Sequence, residues 1–173
     1  TATNTVMEIC NGSTVIGKML AVGEGATGSV FRVTGDSQVS FSDKVYLGGY
    51  NYGGVNNVLE VENSDFTCKD LIIGKQTASC ASSFRLSGPR ANLAITPSKV
   101  SRYPLFTAGS GHEFVLDGAT WHHSDINLQF DTAAENCSLR LENGAVFVTD
   151  GGFYSGTNSA HSCGNIFYVG DGA

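Results

Sequence analysis

Two acids and two arginines have the spacing that chemistry would need. Asp117 and Glu142 each stand one position after an apolar–any–apolar triplet, in consecutive copies of a repeated pattern, and Arg85 and Arg140 share the middle position of that triplet. Glycoside hydrolysis uses two carboxyl groups about 5–10 Å apart across a groove. Asp117, Glu142 and Arg140 are therefore the candidate catalytic set, against the alternative that they are solvated corner residues. His122, His123 and Asp125 form the densest polar cluster, beside Trp121. Imidazole and carboxylate can ligate a metal or move protons. Adjacent residues of a strand point to opposite faces, however, so the two histidines cannot hold one ion together. Asp43, Asp70, Asp125 and Asp150 recur at one corner of the repeat. Stacked carboxylates there could bind calcium, but Asp capping a local turn explains the recurrence without a metal. Tyr50, Tyr52, Tyr103 and Tyr154 offer flat apolar faces with a polar edge, which suits stacking on sugar rings.

What must position these groups is the repeat itself. Leu59-Glu60-Val61-Glu62-Asn63-Ser64 reads as apolar–any–apolar, a polar residue, Asn or Gly, then a small residue. Seven copies begin at Met7, Phe31, Leu59, Phe84, Phe114, Leu139 and Phe167, 24 to 30 residues apart. Within a repeat two further short apolar–any–apolar segments follow, as in Phe66-x-Cys68 and Leu71-x-Ile73 after Leu59-x-Val61. Alternation over so few residues means strands, and Gly, Asn, Asp and Ser between the segments mean turns. No amphipathic helix is evident. Three strands and three corners in roughly 25 residues describe one coil of a parallel β-solenoid, stacked on the next at about 4.8 Å. No coil buries its apolar side alone; stacking makes the core continuous. The sequence thus predicts an all-β fold, a parallel β-helix of about 6–7 coils with little or no helix.

Register has its own signal. The middle residues of the first triplet run Glu8, Arg32, Glu60, Arg85, Val115, Arg140 and Tyr168. The first four alternate in sign, so stacking in register sets each charge against its opposite, and a one-coil slip sets like against like. The pattern fails around residues 96–112, which hold two of the three prolines and predict a protruding loop or irregular strand. Gly48 to Gly54 predict a shorter irregular segment. Among five cysteines, Cys68 is expected to be buried in the core, and Cys137 and Cys163 fall in successive repeats where a disulfide is sterically open.

Composition narrows the partners. A net charge of −6 disfavours nucleic acid and anionic lipid, because phosphate binding needs a basic face. It leaves cations, polysaccharide or another protein. No run of residues approaches the roughly 18 apolar positions of a membrane span, so membrane insertion is not expected. The chain begins and stops beside copies of the repeat, which reads as a single solenoid segment, residues 1–173, cut from a longer protein.

The repeat, through stretches such as Val58-Leu59-Glu60-Val61-Glu62-Asn63 and Asp70-Leu71-Ile72-Ile73-Gly74, resembles the right-handed parallel β-helix of the pectin-lyase-like superfamily. It is also similar to the repeat regions of bacterial surface and autotransporter-type proteins. The resemblance covers nearly the whole chain and is architectural. Neither a paired-Asp polygalacturonase motif nor a calcium-dependent lyase motif matches residue by residue. It implies a secreted or cell-surface location and a structural or adhesin-like module that binds polysaccharide or another surface protein. The alternative is a fragment of a polysaccharide lyase, a glycoside hydrolase or a phage tailspike. Unpaired edges at the terminal coils predict end-to-end association.

Overall fold

The computed structural model describes residues 3–96, 105–123, 128–149, 153–154 and 164–170. In chain order the strands are β1 (Val6–Ile9), β2 (Thr14–Gly17), β3 (Leu20–Val22), β4 (Val30–Val33), β5 (Gln38–Phe41), β6 (Lys44–Leu47), β7 (Val58–Glu62), β8 (Asp65–Cys68) and β9 (Asp70–Ile73). There follow β10 (Ser83–Ser87), β11 (Asn92–Ile95), β12 (Phe106–Ser110), β13 (Glu113–Asp117), β14 (Thr120–His123), β15 (Leu128–Glu135), β16 (Ser138–Glu142), β17 (Val146–Thr149), β18 (Phe153–Tyr154) and β19 (Ile166–Val169). The described residues contain no helix.

Every third strand pairs with the next in parallel, so the chain is an all-β parallel solenoid. The first sheet runs β1-β4-β7-β10-β13-β16-β19, the second β2-β5-β8-β11-β14-β17 and the third β3-β6-β9-β12-β15-β18. A turn takes about 26 residues, and the chain makes about five full turns, fewer than the six to seven expected.

The triplets stack as the repeat requires. Phe31, Leu59, Phe84, Phe114 and Leu139 are successive register partners, none more than 3% exposed. The second sheet adds Val39, Phe66, Leu93 and Trp121, and the third adds Val45, Leu47, Leu71 and Ile73. Rings zigzag through this column: Phe66–Phe84 at 6.4 Å, Phe84–Phe114 at 4.5 Å, Phe114–Trp121 at 4.7 Å and Trp121–Phe147 at 4.5 Å between centroids. Cys68 is in the core, as expected, and burial raises the pKa of its thiol.

The corner before the first sheet has its own order. Asn4, Gly28, Asn56, Ala81, Gly111, Asn136 and Gly164 all have positive φ there, between 50° and 70°. Asn and Gly tolerate this left-handed conformation; Ala81 does not do so readily. In three of the windings the next residue, Asn57, His112 or Asn165, turns a polar side chain onto the neighbouring winding. Asn57 accepts the Ser29 N–H at Oδ1 (2.9 Å) and donates from Nδ2 to the Ala26 carbonyl (3.2 Å). Asn165 repeats this with Cys137 and Ala134, at 2.8 and 2.9 Å. His112 takes the same place between them. These side chains satisfy backbone groups that the corner would otherwise bury unpaired.

Within the expected loop, Phe106–Ser110 forms β12, whose pairing with β15 shifts by one residue between Phe106 and Ala108. Residues 97–104 lie outside the described residues, as does Cys163.

Candidate functional site

The outer face of the first sheet carries the charges. Cα register joins Glu8 to Arg32, Arg32 to Glu60, Glu60 to Arg85, and onward through Val115 and Arg140 to Tyr168, which is the expected order. Arg32 Nε lies 2.7 Å from Glu60 Oε2. At the strand ends Glu62, Ser87, Asp117 and Glu142 form a second row, so Asp117 and Glu142 are direct register partners on adjacent strands. Each is engaged by an arginine: Arg85 Nη2 contacts Asp117 Oδ2, and Arg140 Nη2 lies 2.6 Å from Glu142 Oε1. Asn143 Nδ2 donates to Asp117 Oδ1 at 2.6 Å. The hydrogen bond from Arg140 to Glu142 raises the guanidinium pKa further.

Between these rows lies a groove of about 380 Å³, lined by Arg32, Thr34, Glu60, Glu62, Arg85, Ser87 and Asp117. Its arginines and carboxylates are largely paired with one another. Asp117 and Glu142 stand side by side in one row, not on opposing walls. An arrangement of that kind fixes register and gives a neutralised surface; it does not set an acid and a base on either side of a bond.

The two histidines separate as strand geometry requires. His122 is exposed and His123 is 7% exposed, its ring edge-on to Trp121 at 5.4 Å between centroids. Burial lowers the His123 pKa to about 4, and neither ring nitrogen has a hydrogen-bond partner. Asp125 lies outside the described residues, among which no group of three His, Cys, Asp or Glu residues could hold a metal ion. Among the described residues, the corner aspartates Asp43 and Asp70 are not register partners. Strands β6 and β9 begin in register, Lys44 opposite Asp70, but Asp43 precedes its strand while Asp70 opens its own, and the Lys69 N–H donates to the Asp43 carbonyl. Asp150 is not among the described residues.

Tyr50 and Tyr52 sit on a loop after β6 that is held from the preceding winding. The Glu24 carboxylate accepts the backbone N–H groups of Tyr50, Asn51 (2.8 Å) and Tyr52 (3.1 Å), filling a concave nest of donors. The Tyr50 ring packs 4.6 Å from that of Tyr46, and Lys75 Nζ stands 3.6 Å above it. A cation therefore already covers one face of Tyr50. Tyr52 is 70% exposed. Tyr103 and the side chain of Tyr154 lie outside the described residues.

A polar face on the second sheet was not anticipated. Outward positions there form two rows, Thr14–Gln38–Asp65–Asn92–Thr120 and Ile16–Ser40–Thr67–Ala94–His122. They line a trough of about 350 Å³ that reaches from Thr14 to Asn92. The signal in the sequence is the common offset of hydroxyl, amide and carboxylate side chains in the second segment of each repeat. Their chemistry differs from one winding to the next, which hides the row.

No protein-family model, curated protein or solved structure matches this chain. Its fold rests on its own register and burial.

Proposed function

We propose that the chain is a non-catalytic, adhesin-like β-helix module of a larger secreted or cell-surface bacterial protein, binding polysaccharide or protein on a lateral face. In this reading it belongs with the right-handed, pectin-lyase-like β-helices. The observation that carries it is the pairing of Asp117 with Arg85 and of Glu142 with Arg140 on an open sheet, which leaves neither carboxylate poised across a groove. A panel of neutral and anionic polysaccharides, assayed for both cleavage and retention, tests it. Retention without new reducing ends or unsaturated products is expected; turnover that Asp117→Asn or Glu142→Gln abolishes would overturn it.

A second reading, part of a polysaccharide lyase, glycoside hydrolase or tailspike, draws on one fact. Asp117 and Glu142 are register partners, and adjacent strands lie about 4.8 Å apart. The same cleavage assay separates the two readings.

End-to-end association belongs to the first reading. Met7 and Phe167, at the inward positions of the first and last strands of the first sheet, are 51% and 41% exposed. Light scattering across a wide concentration range is expected to show growing linear oligomers, whereas an unchanging monomer mass would count against it.

A further inference from the structure

We propose that the outer face of the second sheet is the ligand-binding face, and that its ligand is an uncharged, extended polysaccharide lying along the solenoid axis. The inference rests on the reading of the chain as a carbohydrate-binding module and says where, and to which class of polymer, it binds.

The three faces differ in what they leave available. On the first sheet the arginines and carboxylates largely neutralise one another. On the third, the outward-pointing Tyr46 and Ile72 are 4% and 1% exposed, so that face is covered. The second sheet keeps an unfilled trough, and its polar side chains are not engaged. Thr14, Gln38, Ser40, Asp65 and Thr67 make no side-chain hydrogen bond to another described residue, and Asn92 Oδ1 is buried with no partner. A buried acceptor left unpaired costs about 1–3 kcal/mol. Turning of the Asn92 amide into the trough it lines would let a ligand hydroxyl relieve it.

The chemistry of the lining selects the ligand. Hydroxyl, amide and carboxylate groups together both donate and accept, which matches sugar hydroxyls. Asp65 is the one charged side chain in the lining, and it is an acid. With a net charge of −6 on the chain, that disfavours uronate polymers and other polyanions. Ile16, 81% exposed at the trough edge, offers an apolar contact for the C–H face of a pyranose ring.

Spacing gives the direction. Equivalent positions repeat at the inter-strand distance of about 4.8 Å. One pyranose unit of an extended 1,4-linked chain advances by a similar length. Successive sugars can therefore meet the Gln38, Asp65 and Asn92 rungs in turn, which a chain lying across the strands could not do.

The test is calorimetric titration of the protein with linear neutral β-1,4-linked glucan and mannan oligosaccharides of increasing length, beside oligogalacturonate. Affinity for at least one neutral series is expected to rise with length and then level off once the trough is spanned. Gln38→Ala and Asn92→Ala are each expected to weaken it at least tenfold, with unchanged circular dichroism. No binding to either neutral series, a preference for oligogalacturonate, or binding indifferent to both substitutions would each overturn the assignment. Binding that survives both substitutions leaves the module reading intact, whereas cleavage of the oligosaccharide would sink that reading instead.

Discussion

The backbone N–H of Ser82 donates to Nδ1 of His112, 3.1 Å away in the next winding. An imidazole thus does here what Asn57 and Asn165 do elsewhere along the same corner. Nδ1 must be unprotonated to accept, and burial lowers the His112 pKa. Together with His123, the column holds two imidazoles that resist protonation.

Acid should therefore loosen the fold before its carboxylates titrate. Histidine in an unfolded chain titrates near 6.5. Above that value both states are neutral and these residues add no pH dependence. As pH falls from 6.5 toward 4, the unfolded chain takes up protons that folded His123 refuses, so stability drops. With a folded pKa of about 4, the loss for His123 approaches about 3 kcal/mol. His123→Leu should remove most of that slope in urea unfolding at pH 7, 5.5 and 4.5. His112→Asn should keep the corner bond and remove its own share. Unchanged slopes in both variants would refute the argument.

Asn57 should be harder to replace than any surface polar residue. Asn57→Ala strips the partner from the Ser29 N–H and the Ala26 carbonyl together. At about 1–3 kcal/mol for each group left unpaired, the expected loss is about 2–6 kcal/mol. Equilibrium denaturation measures it; a loss under 1 kcal/mol would mean that the corner reorganises.

Ala81 is the exception among seven left-handed corners, with φ of 50°. The conformation costs a non-glycine residue about 1–2 kcal/mol. Ala81→Gly recovers part of that and loses some to the freer unfolded chain, for a net gain of about 0.5–1 kcal/mol. A rise in the denaturation midpoint with unchanged cooperativity is the expected result.

The charge row of the first sheet should behave as a register device with a small energetic share. Arg32→Glu puts three acids in consecutive rungs with Glu8 and Glu60. The expected loss is about 0.5–1 kcal/mol, shrinking in high salt. A double-mutant cycle with no coupling would show that the Arg32–Glu60 contact contributes nothing.

The first sheet was legible because one motif carries both its inward apolar pair and its turn. Asn11, Asn63 and Asn143 close that turn with positive φ in three windings, as Gly35, Gly88 and Gly118 do in three others. The split of His122 from His123 followed from strand alternation alone. The third sheet was less legible, since its corner aspartate shifts against the strand, as Asp43 and Asp70 show, and Thr107-Ala108-Gly109 carries no apolar alternation although it lies in β12. Of the candidate site, the Asp117–Glu142 pairing could be read from equal offsets. Arg85 reaches across to Asp117 on the neighbouring strand, which no spacing rule encodes, whereas Arg140 bonds Glu142 two residues along its own strand. His112 is a lone residue before a motif and stands out only once Asn57 and Asn165 are seen at the same place.

All three sheets join windings through parallel pairings of strands, and those hydrogen bonds point along the rod. Tension applied end to end therefore opens one interface at a time, like a zip, and the force needed is that of a single interface however many are stacked. Each winding that peels away frees about 26 residues, on the order of 90 Å of slack when fully extended. Such a rod lengthens in discrete steps under load while its remaining turns stay folded.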